Sequence, residues 1–349
     1  MKLAAGLFSL RGLGLAVAAV AALSFAAPAA AQDRYAAIVM DARTNEVLLE
    51  DQADEARYPA SLTKMMTLYM IFEALERGEI TMDTRLTASR NASRQPPSRL
   101  GLRRGDTITV DQAIRALVVQ SANDVATMVG EHLGGSEARF AANMTARARD
   151  LGLRDTRFAN ASGLPDTRHR TTARDMATLS QAIWNDFPQH YHIFQTPNFS
   201  WRRSSGRNHN RLLGQVEGVD GIKTGYTRAS GFNLATMTER NGRRVIVVVL
   251  GGETAAARDA QVAYLIEGAY QEYARREDPN AATFANMPTR RLDVQLAPGA
   301  LNASAPQRQP AGPYATYQGM VVETLSPVRT PIDPVGQGDE GDHSTEEMD

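Results

Sequence analysis

The spacing of apolar positions along this chain changes several times, and each change marks an element. From Tyr35, "YAAIVMDARTNEVLLE" alternates apolar and polar residues on both sides of Thr44-Asn45, which predicts a β-hairpin. "SLTKMMTLYMIFEALERGEI" is apolar on nearly every side and predicts a buried helix, opened by a Ser or Ala cap region just after Pro59. "TVDQAIRALVVQSANDVATMVGEHLGG" predicts two helical runs broken near Gln120-Ser121, and "TTARDMATLSQAIWNDF" a further capped helix. "GFNLATMTERNGRRVIVVVLGG" predicts a hairpin turning at Asn241-Gly242, and "TAAARDAQVAYLIEGAYQEYARRE" a closing helix. Strands thus stand at both ends of the region from Tyr35 to Arg276, with mostly helices between. That order predicts an α/β (α+β) fold with one antiparallel sheet flanked by helices.

The two ends of the chain read differently. In residues 1–31, Lys2 and Arg11 precede an apolar stretch that closes on Ala29-Ala30-Ala31. This is the pattern of a secretory signal with an A-x-A site, cut before Gln32, which predicts export across the inner membrane to the periplasm. An uncleaved membrane anchor is the alternative, since the apolar run is fairly long. Residues 32–276 form the expected folded domain. Beyond it, in 277–349, nine of the sixteen prolines fall between Pro279 and Pro334, hydrophobic periodicity is lost, and the last stretch "DEGDHSTEEMD" is acidic. A disordered or loosely attached tail is expected there, and without a basic amphipathic face no C-terminal membrane anchor.

Bulk composition narrows the chemistry. The 349 residues carry a net charge of -1, so no overall basic field points to nucleic acid. Cysteine is absent, which excludes disulfides, thiol nucleophiles and thiolate metal sites. No cofactor or metal is implied. His190 and His192 in "QHYHIF" lack a nearby acidic cluster and are read as part of a surface turn.

Basic-residue usage is more informative. Of 38 basic residues only Lys2, Lys64 and Lys223 are lysines, and 38 less 3 leaves 35 arginines. Arginine cannot give up its proton, whereas a buried lysine can. A chain that writes arginine almost everywhere is expected to keep lysine where that difference matters. On a helix Ser61 and Lys64 share a face, so a neutral amine at Lys64 can take the proton of the Ser61 hydroxyl. S-x-x-K is a weak signal alone, but this helix is too apolar to leave Lys64 merely solvated. Ser121 and Asn123 lie in "QSAND", where a helical pattern breaks; such a break can turn both side chains into a cleft. Lys223-Thr224-Gly225 follows "EGVDGI" and predicts a strand edge where the lysine and threonine bind a carboxylate and the glycine lets substrate approach.

Taken together, Ser61-x-x-Lys64, Ser121-x-Asn123 and Lys223-Thr224-Gly225 resemble the three motifs of the penicillin-binding proteins and serine β-lactamases. The closer resemblance is to the low-molecular-weight D-alanyl-D-alanine carboxypeptidases, supported by "PASLTKMMT", "LGLRDTRFANASGL", "ARDMA", "VDGIKTGYT" and "GFNLA". It implies a helix-sheet-helix core with a mostly helical second lobe and an active site between them. It further implies an acylated nucleophile at Ser61, its general base at Lys64, a proton relay at Ser121 and a substrate-holding amide at Asn123. Lys223, Thr224 and Gly225 would bind the terminal carboxylate and line the site, and the N–H groups of Ser61 and Tyr226 would form the oxyanion hole. Arg258 stands where the family places a carboxylate-neutralising arginine, against the plainer reading of a solvated residue in a helix's first turn. The implied substrates are stem peptides ending in D-Ala-D-Ala, with β-lactams as covalent inhibitors.

Three alternatives share parts of this pattern. A β-lactamase would need an E-x-x-L-N loop, and none lies between Asn123 and Lys223. An endopeptidase of D-alanyl cross-links is barely distinguishable by motif. A silent wall-binding scaffold is opposed by the intact motifs. His209 in "NHNRLL" replaces an arginine that relatives can carry at the cleft mouth. The arginines of "SRNASRQPPSRLGLRRGD" are read as a solvated loop beside the cleft, and Trp184 and Trp201 as core or cleft-wall aromatics.

Overall fold

The computed structural model describes residues 34–277, together with the backbone of 314–317 and 320–323. The expected signal segment 1–31 and most of the expected tail lie outside the described residues. Within that stretch, Tyr314–Tyr317 and Met320–Glu323 pair as two short antiparallel strands. Their tyrosines, threonine and valines are strand formers.

The first hairpin pairs β1 (Ala36–Asp41) with β2 (Val47–Asp51). A short 3-10 turn, Ala60–Leu62, then leads into α1 (Thr63–Glu76). The small pair β3 (Arg85–Thr87) and β4 (Thr107–Thr109) precedes α2 (Val110–Arg115), whose Thr109 and Gln112 form a reciprocal capping box. α2 runs into one π-type turn, Ala116–Gln120, before α3 (Asn123–Gly134), α4 (Glu137–Asp150) and α5 (Ala173–Asp186). The short α6 (Pro188–Tyr191) leads to a second small hairpin, β5 (Asn198–Trp201) and β6 (Ser204–Arg207). The chain returns through β7 (Val219–Thr227), β8 (Gly231–Arg240), β9 (Arg243–Gly252) and α7 (Ala255–Glu277).

The main sheet is antiparallel throughout, in the order β2-β1-β9-β8-β7. Ile38, Met40, Ile246 and Val248 face a core shared with α1, α5 and the helical lobe. Val39, Val245, Val247 and Val249 face a second core under α7. Both sheet faces are covered, so β1 is buried along its whole length rather than alternating as the hairpin reading implied. The turn between β8 and β9 falls at Asn241 and Gly242, both with positive φ, as the type I′ signal predicts.

α1 occupies the centre, buried on nearly every side against α3, α4 and α5. Burying residues such as Met65, Leu68 and Phe72 contributes about 2 kcal/mol each, which offsets the cost of placing one amine in the same interior.

Candidate active site

The nucleophile turn is built from three sides. Asn233 on β8, fully buried, donates to the carbonyls of Tyr58 and Pro59 at 3.0 and 3.2 Å and so ties the sheet to the segment before Ser61. Ala60 adopts a left-handed φ of 47°, uncommon for a residue with a Cβ, which places Ser61 at the start of a tight turn. Gly225 on β7 passes so close that a Cβ there would meet the Ser61 nitrogen at 3.0 Å and the Pro59 oxygen at 3.1 Å. Ser61 keeps partial access to solvent while Lys64, one turn on, has none.

Lys64 Nζ lies 3.1 Å from Ser61 Oγ, 2.8 Å from Asn123 Oδ1 and 2.5 Å from the Ser162 carbonyl oxygen. Two of these partners, the amide and peptide oxygens, can only accept. A neutral amine has two N–H groups and one lone pair, so those oxygens use both hydrogens and leave the lone pair facing the serine hydroxyl. Burial holds Lys64 well below the ordinary lysine range, and the charge of Lys223 pushes the same way; Asp124 and Glu137 pull against them.

The interrupted helix supplies the opposite wall. Ser121 closes the π-type turn in the left-handed region, φ 54°, and its buried hydroxyl makes no hydrogen bond among the described residues. Asn123 Nδ2 donates to the Pro96 carbonyl at 2.9 Å, so its amide bridges Lys64 and the 96–102 loop. Asp124 fixes that loop by accepting from the N–H groups of Leu100, Gly101 and Leu102 at 2.8–3.0 Å.

β7 supplies the third wall. Lys223 is buried and donates to the Thr224 carbonyl at 3.0 Å; burial, then the charge of Arg258, push its pKa down to about 7. Arg258 is itself buried, bound to Asp259 at 2.7 Å and to the Asn233 carbonyl, so it is not the solvated first-turn residue of the plainer alternative. Tyr226 is the exception among these residues: its ring is 55% exposed and stacks on Phe232. His209 stands partly in solvent at the mouth. Packing around its ring, then the charges of Lys223, Lys64 and Arg258, push its pKa down to about 4, so it presents a neutral ring at neutral pH.

The structure therefore joins Ser61, Lys64 and Asn123 by hydrogen bonds and sets Gly225 against the Ser61 nitrogen, with Ser121 two residues before Asn123, Lys223 and Thr224 directly before Gly225 on β7, and the charge of Arg258 acting on Lys223. Sequence reasoning missed the Ser162 carbonyl, Asp124 and Asn233. The strings "ANASGL", "QSAND" and "GFNLA" contain them, but a backbone acceptor has no side-chain signature. Elsewhere, His190 and His192 lie in α6 and the turn after it rather than a bare surface turn; His190 stacks on Phe72 and reaches Glu76 at 3.1 Å. Among the described residues no cluster suited to a metal ion occurs. Trp184 packs against the core, and Trp201 lies partly buried on the β5–β6 hairpin.

An antiparallel sheet covered on both faces, with a serine and a buried lysine where it meets a helical lobe, defines a serine hydrolase of the penicillin-binding type. A family model described as D-alanyl-D-alanine carboxypeptidase matches residues 23–254, and the chain belongs to that family of serine peptidases. It is 34% identical over 279 residues to D-alanyl-D-alanine carboxypeptidase DacD of Salmonella typhimurium, covering 78% of this chain and 71% of that protein. Against three further carboxypeptidases of Bacillus subtilis and Escherichia coli the matched stretch spans 57–64% of their length. The fold is similar to penicillin binding protein 6B from Escherichia coli, with a TM-score of 0.65 and 33% identity over 68% of this chain and 76% of that one. It is also similar to Penicillin-Binding Protein D2 from Listeria monocytogenes in its cefotaxime-bound form, with a TM-score of 0.59 and 32% identity over 66% and 96% of the two chains. Among the described residues, no helix is long and apolar enough to cross a membrane.

Proposed function

We propose that this protein removes the terminal D-alanine from peptidoglycan stem peptides in the periplasm, through an acyl-enzyme on Ser61. The observation that carries the reading is the fully buried Lys64 amine 3.1 Å from the Ser61 hydroxyl, held well below the ordinary lysine range by burial. Ser61 Oγ attacks the carbonyl between two D-alanines while its proton passes to Lys64 Nζ. The N–H groups of Ser61 and Tyr226 hold the oxyanion, each worth about 3 kcal/mol at the barrier. The C–N bond then breaks, and the proton passes by way of the uncommitted Ser121 hydroxyl to the departing amine. Water repeats the attack and frees Ser61. Lys223, Thr224 and, behind them, Arg258 meet the substrate carboxylate. Asn123 acts first as an anchor of Lys64, with one Nδ2 hydrogen left for a substrate carbonyl. A β-lactam would acylate the same serine and leave slowly.

Intact mass after incubation with penicillin, followed by peptide mapping, tests the reading. One adduct on the Ser61 peptide is expected, and none on Ser61→Ala. Labelling that survives Ser61→Ala would remove the nucleophile assignment.

The depressed Lys223 predicts a pH limb. The free enzyme loses the cation that receives the substrate carboxylate as pH rises through about 7, so kcat/KM for a D-Ala-D-Ala peptide falls on the alkaline side. Lys223→Arg keeps its charge, so near pH 6 it should lose only several-fold in rate and its alkaline limb should move upward or vanish. An alkaline limb unchanged in Lys223→Arg would assign it to another group.

A further inference from the structure

Glu137 opens α4 next to its Ser136 cap, where a glutamate ordinarily turns outward and complements the helix N-terminus. Here its carboxylate turns inward. Oε1 accepts from Thr127 Oγ1 on α3 at 3.1 Å and from the Ala161 N–H at 3.2 Å. Thr127 and Ala161 are both fully buried. α3, α4 and the Ala161 segment meet closely at this corner. A Cβ at Gly130 would lie 3.1 Å from Phe140 Cδ1 and 3.2 Å from Ala161 Cβ, and one at Gly134 would lie 2.8 Å from the Phe140 nitrogen.

Ala161 connects that carboxylate to Lys64. Its carbonyl accepts from Thr67 Oγ1 on α1 at 2.7 Å, and the next carbonyl, of Ser162, takes a hydrogen from Lys64 Nζ at 2.5 Å. The second acceptor of Lys64 is arranged alike: Asn123 is followed by Asp124, whose carboxylate takes the Leu100, Gly101 and Leu102 N–H groups. Both carboxylates are bonded by neutral donors, and among the described residues neither forms an ion pair. Their charges act on Lys64 against that of Lys223. Other charged groups around α1 engage nearer partners: Arg147 pairs with Glu73, and Asp186 accepts from Tyr69. His169 and His209, which also feel Lys64, are held to about 4, by burial first, and are neutral at neutral pH.

We infer that Glu137 is a positioning residue for the reaction: it holds the Ala161–Ser162 peptide that binds Lys64, and it supplies an unpaired negative charge to the same base. This rests on the reading of Lys64 as the general base and deepens it. On taking the Ser61 proton, Lys64 becomes a cation in an interior that also holds the buried Lys223. Two carboxylates without ion-pair partners offset that cost, and removing one makes the protonated amine less favourable. Without the Glu137 charge Lys64 gives up its proton more readily, so the acid limb of acylation moves to lower pH. The amine is then also a weaker base, so the plateau rate falls.

The full chain is assayed by its rate of penicillin adduct formation, read by intact mass as a function of pH, with thermal midpoints alongside. Glu137→Gln keeps an oxygen for Ala161 and Thr127 and removes the charge. It should move the acid limb, the one that Lys64→Arg lacks, down by about half a pH unit or more and lower the plateau about threefold. Glu137→Asp keeps the charge on a shorter stem. It should lower the plateau about tenfold through misplacement of the Ser162 carbonyl and leave the limb where wild type has it. Glu137→Ala should show both the shifted limb and the larger loss. An unmoved limb in Glu137→Gln, or equal limb shifts in the Gln and Asp variants, would overturn the role, because a merely structural contact changes the rate alike at every pH. An absent adduct in wild type, or an acid limb that persists in Lys64→Arg, would instead sink the general-base reading beneath it.

Discussion

Lys64→Arg is expected to slow acylation of Ser61 by about a thousandfold or more while leaving the protein folded enough to measure. The substitution keeps a long basic side chain and removes only the ability to be neutral. Arginine holds its proton at any attainable pH, so no lone pair can face the Ser61 hydroxyl. A positioned base contributes about 10²–10⁴-fold, and a permanent cation here would also stand against Lys223. The rate constant for penicillin adduct formation, read by intact mass, gives the effect directly, with the thermal midpoint as the folding control. Lys64→Met should lose a similar factor, because it too lacks the base. In wild type, acylation should fall toward acid pH as Lys64 takes up a proton, and this limb should be absent from the residual activity of Lys64→Arg. An arginine variant acylating within tenfold of wild type would overturn the base assignment.

Where the chain's chemistry depends on side-chain identity, it was readable. Lysine at 64 and 223 stood out against 35 arginines because only lysine can be deprotonated by burial, and both prove to be buried. The break at Ser121 was visible as a lapse in helical period, and its physical form is a π-type turn ending in a left-handed serine. What depends on backbone or on tertiary cover was not readable. The Ser162 carbonyl that fixes Lys64 is presented by Asn160, whose side chain accepts from the N–H groups of Ser162 and Gly163 at 3.1 and 2.8 Å, and nothing in the string "NASG" announces its partner. β1 is continuous rather than alternating because α7 covers the face that a lone hairpin would leave wet. The β5–β6 hairpin escaped because Arg202-Arg203 is not a turn signal. α4 escaped because its buried positions, Phe140, Ala141, Met144, Thr145 and Ala148, include too many small or polar residues to mark a stripe.

Gly163→Ala is expected to damage both stability and chemistry, because that glycine is the contact between the Ser162 loop and the nucleophile turn. Its φ is +82°, and a Cβ would lie 1.8 Å from the Ala60 carbonyl oxygen, 2.4 Å from the carbon and 2.9 Å from Thr63 Oγ1. The obstacle is backbone, so one segment must move. Ala60 already carries a left-handed φ, and Ser162 on the other side holds Lys64. Separating them displaces the base from the hydroxyl, and a misplacement of about 1 Å costs about a hundredfold in rate. Strain and lost packing together should cost about 3 kcal/mol or more, lowering the thermal midpoint by about 6–12 °C for a domain of this size. Gly152→Ala makes the matched comparison. Its φ is +84°, with nothing within 4 Å of the added carbon, so only the left-handed strain of about 1 kcal/mol applies and acylation should be unaffected. Scanning calorimetry and penicillin acylation rates on the two variants separate the effects. Equal midpoints and equal rates would mean that the 163 contact places neither Ser61 nor Lys64.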